Sequence, residues 1–389
     1  MKEKNRNLKK QGNLGEIEEV RESIMHRRDF IRTSLVGGIV AATMPSYAIE
    51  TLASKSKVSL DTNSRVTLDM DSRVALVTGD NRADMAFRAL QPFSKEIAQA
   101  VGNKRIVIKP NLVSSSIQLS ATHKDTIEGI LEFFKSIKKI DNIVIGESAA
   151  DGPTMVAYDN YGFIPVADKY KVKLIDLDDN PFRVLYVMDE LDLRPKPVRM
   201  SSLLTDRDIF VMSVARMKTH DRIVATLTFK NLAVGAPIKD PGFAFGRNRV
   251  TGTRSDKAIV HGNGFRGIHY NLFNIAYQIR PDLAFIDGYD GMEGDGPTNG
   301  TLIDHRVCVA GLDWMSVDRI GLELMGVDPE QIGYLNFCAN AGMGVYDINK
   351  IEIVGDKLAD HIKNYKMSRN IEKQLQWMTP LRERGESLY

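Results

Sequence analysis

The sequence predicts an α/β fold: a mainly parallel sheet with helices on both faces and mobile loops at the C-terminal edge of its strands. Three observations carry that expectation. Short apolar runs such as 105–108 and 209–214 alternate with stretches of helical periodicity. Apart from Arg105 and Ser213 these runs are apolar at consecutive residues rather than at every second one, as strands buried on both faces are. Polar and charged residues follow those runs directly, at Lys109-Pro110-Asn111, Gly146-Glu147-Ser148, Lys218-Thr219-His220, Asp287-Gly288 and Asp313. In a parallel sheet such positions share one edge, where ligand sites form.

The chain opens on residues 1–26, which are polar and charged. Arg27-Arg28-Asp29-Phe30-Ile31-Arg32 follows, then a modest apolar run over 35–44 broken by Gly37-Gly38, then Ser46-Tyr47-Ala48. A twin arginine, a weakly apolar centre and small residues before a cut after Ala48 make a three-part export signal over 1–48. It resembles a twin-arginine translocation signal, from which His26, Ile31 and Arg32 are mild departures. That resemblance implies the twin-arginine translocation machinery as a partner and a periplasmic or otherwise extracytoplasmic location. The apolar run is far shorter than the ~20 residues that span a bilayer, so no transmembrane helix is expected in the mature chain. Residues 49–71 read as a linker.

An α/β domain is expected over 72–356. Its strands fall at 73–78, 105–108, 142–145, 172–175, 209–214, 283–286, 307–310 and 351–354. A helix is expected over 84–101, where Met85, Ala89, Leu90, Phe93, Ile97 and Val101 share a face. Thr122 is placed as the N-cap of the next helix, which carries Ile127, Ile130, Leu131, Phe134 and Ile137. Further helices are expected over 155–170, 314–325 and 329–341. Segment 181–202 alternates in polarity, as a strand pair inserted at the sheet edge would. Segment 241–267 has few apolar residues and reads as a long mobile loop. Residues 357–389 read as a charged, helical tail, packed outside the core or loosely held.

Composition excludes several function classes. With 43% apolar and 26% charged residues in 389, the chain has the make-up of a soluble globular protein. Its net charge is +2, and residues 1–48 hold nine Lys/Arg against six Asp/Glu. The remainder is near neutral, so no cationic field for nucleic acid exists. Two cysteines, Cys308 and Cys338, exclude a cysteine-ligated iron–sulfur cluster or zinc knot within one chain, and no cofactor is identified. A disulfide between them requires an oxidising compartment. There is no Walker motif, no Gly-x-Ser-x-Gly elbow and no dinucleotide fingerprint.

The residues left to carry chemistry lie mostly within 208–240. Lys218, Lys230 and Lys239 with His220 could clamp a carboxylate or phosphate, and Lys109, Asn111, Glu147 and Asn231 could complete the ring from adjoining segments. Lys218, His220 and Lys230 are the candidates for acid–base catalysis, since histidine titrates near neutrality and a lysine among cations can serve as base or nucleophile. A ligand-binding or cofactor-handling protein would use the same cations without turnover. In 287–300, Asp287, Asp290 and Glu293 offer oxygens that, with Asp313, suit either a hard cation or a plain acidic loop or lid. The spacing is not that of a calcium loop. His123, His220, His261 and His269 could converge with Glu147, Asp176 or Asp313, but no metal-ligand spacing links them.

Ile108-Lys109-Pro110-Asn111-Leu112-Val113, Ala121-Thr122-His123, Gly146-Glu147-Ser148, Lys218-Thr219-His220, Phe229-Lys230-Asn231-Leu232 and Asp287-Gly288 occur in this order. In these motifs the chain resembles the bacterial and archaeal family called domain of unknown function 362, over about residues 74–325. The resemblance implies a shared fold and site, and supplies no reaction. Some members add a ferredoxin-like cysteine module, which two cysteines cannot form here.

Overall fold

The computed structural model describes residues 72–244 and 250–379; the expected export signal and linker, together covering 1–71, lie outside the described residues. The strands are β1 (Ser72–Thr78), β2 (Arg105–Lys109), β3 (Ile143–Glu147), β4 (Lys173–Asp176), β5 (Phe182–Met188), β6 (Pro195–Ser201), β7 (Ile209–His220), β8 (Val224–Thr226), β9 (Leu283–Asp295), β10 (Asn299–Gly311) and β11 (Ile351–Gly355). The helices are α1 (Arg82–Leu90), α2 (Ser94–Val101), α3 (Lys124–Ser136), α4 (Thr154–Asn160), α5 (Phe163–Tyr170), α6 (Thr228–Gly235), α7 (Asp256–Val260), α8 (Phe265–Ala276), α9 (Trp314–Leu324), α10 (Gly333–Asn340) and α11 (Ile371–Leu375).

Nine strands make one sheet in the order β11-β1-β10-β9-β7-β2-β3-β4, with β8 folded back on β7. Only β10 and β8 pair antiparallel. The other strands therefore end at one common edge. Alternate residues face opposite sides. Ala75, Ile106, Ile108, Ile145, Met212 and Phe285 pack in one layer with Met85, Ile127, Ile130, Phe134 and Phe163 from α1, α3 and α5. The opposite face is covered by α6 and α9.

Several elements differ from expectation, each for a local reason. The helix over 84–101 breaks at Gln91-Pro92-Phe93, because proline cannot donate to the helical ladder. His123, not Thr122, caps α3: its Nδ1 accepts from the Asp125 N–H at 3.2 Å. Thr122 instead points into the sheet, donating to the Val214 carbonyl at 2.9 Å. The strand pair β5/β6 is a separate two-stranded sheet against α7 and α8, not an edge of the main one.

The acidic, glycine-rich stretch after Asp287 is the outer half of a long β9/β10 hairpin, not a lid. Glycine and aspartate are poor strand formers, but residues 357–379 cover this hairpin and hold it. Gly291 has no room for a side chain, since a Cβ would stand 2.0 Å from the Tyr365 hydroxyl. Those C-terminal residues thus pack into the fold: Tyr365, Ser368 and Gln374 are buried, and α11 is their one α-helix among the described residues. The expected long loop also carries structure. Lys239 and Ser255 form a bridge, α7 follows, and Asp256 and Lys257 are buried; residues 245–249 lie outside the described residues.

Candidate functional site

The site is built where β7 runs past the sheet edge. It continues to His220, beyond the expected stop at Val214, because β8 returns along it with Lys218 opposite Thr226 and His220 opposite Val224. Arg216, Lys218 and His220 alternate along the strand and so share one side. The hairpin feeds α6, whose first turn is fixed by Asp318 of α9. One Asp318 oxygen accepts from the Thr228 N–H at 2.8 Å and from its hydroxyl; the other accepts from the Phe229 N–H at 3.1 Å. This anchor sets Lys230 and Asn231 over the ends of β2 and β7.

Lys109 is fully buried. Its Nζ donates to Glu147 at 2.9 Å, to the Asn231 Oδ1 at 3.0 Å and to the Pro110 carbonyl at 2.9 Å. The Asn231 amide in turn donates to the Ser213 Oγ at 3.0 Å, tying α6 to β7. Gly235 allows this approach, because a Cβ there would lie 2.3 Å from the Lys109 Nζ. Lys218 donates to the Ser120 carbonyl. Lys239 pairs with Asp178, which also accepts from the Ser148 Oγ at 2.6 Å. Lys257 of α7 donates to the Gly235 carbonyl at 2.8 Å and to that of Pro237.

Five lysines are therefore buried among the described residues, and protein oxygens hold four of them. The exception is Lys230. It is 5% exposed, and its Nζ makes no hydrogen bond or ion pair with any described residue. Beside Lys218, Arg216 donates its Nε to the Leu119 carbonyl at 3.1 Å, while its buried Nη1 has no partner among the described residues. Asn111 Oδ1 is likewise buried without one.

Burial dominates the electrostatics. It pulls the Lys218 ammonium well below its usual range, and the neighbouring Lys230 and Arg216 charges pull further in the same direction. Burial brings Lys230 down to about 7 against the opposing charge of Asp221. It brings Lys257 to about 7 despite Asp178 and Glu147. Lys109 is also lowered by burial, with Glu147 opposing. A buried amine costs less neutral than charged, which is why the shifts run this way.

Two histidines complete the group. The rings of His220 and His261 stack with centroids 6.3 Å apart. His220 Nδ1 accepts the Arg222 N–H at 3.0 Å, so the neutral ring carries its proton on Nε2. His261 Nδ1 faces the Lys257 carbonyl at 2.8 Å and must donate, which leaves its Nε2 as an acceptor. Burial and then Lys230 hold both rings neutral, His220 well below its usual value and His261 at about 4. The pair thus offers one N–H and one lone pair.

The other candidates are held in other pairings, although Asp287 lies opposite Arg216 in the sheet and its charge acts on that guanidinium. Asp287 and Asp290 both pair with Arg82, and Asp287 also accepts from the Thr126 hydroxyl at 2.7 Å. Glu293 accepts from the Lys366 N–H at 2.9 Å. Asp313 caps α9, accepting from the Met315 N–H at 3.0 Å. His269 packs between Tyr334 and Trp377. Among the described residues no group of three or more His, Cys, Asp or Glu is placed to hold a metal ion. Cys308 and Cys338 are buried free thiols. Open clefts of about 330 Å³ beside Asp84 and Tyr170 and about 470 Å³ beside Tyr270 and Phe337 contain none of the five buried lysines.

The family profile described as "Domain of unknown function (DUF362)" matches residues 106–323, more than half of the chain. The chain belongs to that family. Every DUF362 residue described above as holding or flanking the cations, from Lys109 to Asp318, falls within the matched span. This DUF362 chain is also similar to a thylakoid-associated protein of Synechocystis, with 21% identity over 230 residues, covering 59% of this chain and 65% of that protein. It thus spans just under two thirds of the relative's length.

Sequence reasoning missed four contributors. Arg216 looked like one more strand residue. Lys257 and His261 lay in a stretch read as loop, and His261 was weighed only as a metal ligand. Asp178 follows β4 within Asp176-Leu177-Asp178-Asp179, and acids just past a strand were the signal that could have found it.

Proposed function

We propose that this is an exported α/β enzyme that binds a small anionic molecule, a carboxylate or phosphate, and acts on it by lysine and histidine acid–base chemistry. The observation that carries the reading is the excess of buried cationic groups over carboxylates at one sheet edge, with the Lys230 amine and one Arg216 nitrogen lacking any partner among the described residues. Buried, uncompensated charge or an unmet donor costs several kcal/mol, by order of magnitude. A bound anion would relieve that cost. Lys218, Lys230 and Arg216 would hold it, Lys109, Asn111, Glu147 and Asn231 would shape the site, and Lys239 would fasten the loop above. The His220 Nε2–H would donate a hydrogen bond and His261 would accept a proton.

A binding or cofactor-handling role without turnover is favoured by one observation: four of the five buried amines are already tied to protein oxygens, which leaves few groups free for chemistry. Calorimetric titration with phosphate and with pyruvate tests the shared part of both readings. Binding should be tenfold or more weaker in Lys218→Met than in the parent, and should take up protons from the buffer as the lysines recharge. Equal affinity in parent and variant would overturn the anion site.

Export rests on the twin arginine at Arg27-Arg28. The relative's thylakoid association agrees with a place near a membrane, and no described helix is long and apolar enough to cross one. Replacing both arginines with lysine should leave precursor in the cytoplasm, as read by fractionation; unchanged export would refute this part.

A further inference from the structure

Resting on the anion-site reading above, we infer that the substrate is an anionic carbonyl compound of the 2-oxo acid class, and that the Lys230 amine condenses with its carbonyl carbon to form an imine. The geometry sets Lys230 apart from its neighbours. Lys109, Lys218, Lys239 and Lys257 each donate to at least one protein oxygen, which fixes the position of the nitrogen. Lys230 is 5% exposed, and no hydrogen bond or ion pair from a described residue holds its nitrogen.

A nucleophilic amine needs a free lone pair in a water-poor site, and desolvation beside other cations is how proteins provide one. Burial lowers this amine to about 7, so a large share of it is neutral at physiological pH. The remaining groups fit the partner molecule. The unpartnered Nη1 of Arg216 and the amine of Lys218 belong to one side of β7, with Lys218 close enough to Lys230 to feel its charge, and both suit a carboxylate.

The chemistry balances without any oxidant or reductant. The Lys230 nitrogen bonds to the carbonyl carbon, and one nitrogen proton moves to the oxygen to give a carbinolamine. The oxygen then leaves as water, taking the second nitrogen proton, and a C=N bond remains. That departure needs a base to relay the proton and a hydrogen-bond donor to the leaving oxygen. The Nε2–H of His220 and the Nε2 lone pair of His261 are the neutral donor and acceptor present.

The test uses the purified chain with pyruvate and sodium cyanoborohydride at pH 7, followed by peptide mass spectrometry, alongside calorimetry of pyruvate without the reductant. One reduced adduct on Lys230 is expected, at a stoichiometry near one. Lys230→Arg, which keeps the charge but loses the nucleophile, should yield no adduct at the site under conditions in which the parent does. Binding with no adduct on Lys230, or with adducts spread over exposed lysines, would overturn the imine and leave the anion site standing. No binding of pyruvate or phosphate to a folded parent protein, judged by circular dichroism, would overturn both.

Discussion

Lys109 and Lys230 are two buried lysines about which a substitution should say opposite things. Lys109→Met removes the partner of Glu147, whose carboxylate is 1% exposed, and strands that charge. The expected cost is about 3–5 kcal/mol, the range for breaking one side of a buried pair. Lys230→Met breaks no hydrogen bond or ion pair with a described residue and removes only the longer-range attraction to Asp221, which is half exposed and also feels Arg222. It should leave stability unchanged or raise it by about 1 kcal/mol at pH 7, while abolishing anion binding. Urea denaturation of both variants checks the contrast; a large loss in Lys230→Met would show that the amine has a structural partner. The sequence made the first of these residues legible and not the second. Lys109 stands directly after an apolar run, where a ligand-edge residue belongs. That Lys230 is unpaired follows from how Asp318 orients α6, and Asp318 is some ninety residues away along the chain.

At the scale of elements, α6 is the part on which the site turns. Its start is held by Asp318 and its end is made close to Lys109 by the missing side chain of Gly235. Gly235→Ala would push a methyl group into the Lys109 ammonium, at a cost of about 1–3 kcal/mol for an overpacked core position. Anion affinity should fall with it, because Lys109, Glu147 and Asn231 share one network. Asp318→Ala should cost about 1–2 kcal/mol through the lost helix cap. Unchanged melting temperatures in both variants would mean that α6 is held otherwise. The strand cores of the sheet were readable because apolar runs report burial. The projecting halves of β7, β9 and β10 were not. Their glycines, acids and lysines carry no strand signal, and only hairpin pairing and the cover from residues 357–379 make them strands.

For the whole molecule the lowered amines predict a pH profile. Lys230 and Lys257 are protonated in the unfolded chain up to roughly pH 10, whereas in the fold they give up the proton at about 7. Below that pH the folded state carries the full cost of two buried cations. Between 7 and 10 the unfolded chain still binds protons that the folded chain has released, so stability rises with pH, on the order of 1 kcal/mol per unit for each amine. Denaturation midpoints at pH 7, 8 and 9 should climb, and the slope should be shallower in Lys230→Met. A flat profile in the parent would contradict the burial of these charges. Saturating phosphate should reverse the trend, since it favours the charged amines. The number of cations could be counted in the sequence; their enclosure could not, because it depends on Lys257 arriving from a segment without periodicity.

The Gln374 side chain donates to the His220 carbonyl at 3.0 Å and accepts the Val224 N–H, closing the open end of the β7/β8 hairpin like the clasp on a bracelet. Val224 sits there at φ +64, a left-handed conformation that a β-branched residue resists. During synthesis, then, a nascent polypeptide would display nearly every group of the proposed site long before the ribosome reached the residue that closes the hairpin. Competence at this site would arrive late and all at once, and a translation product halted at residue 370 should fold its sheet yet leave its histidine end frayed.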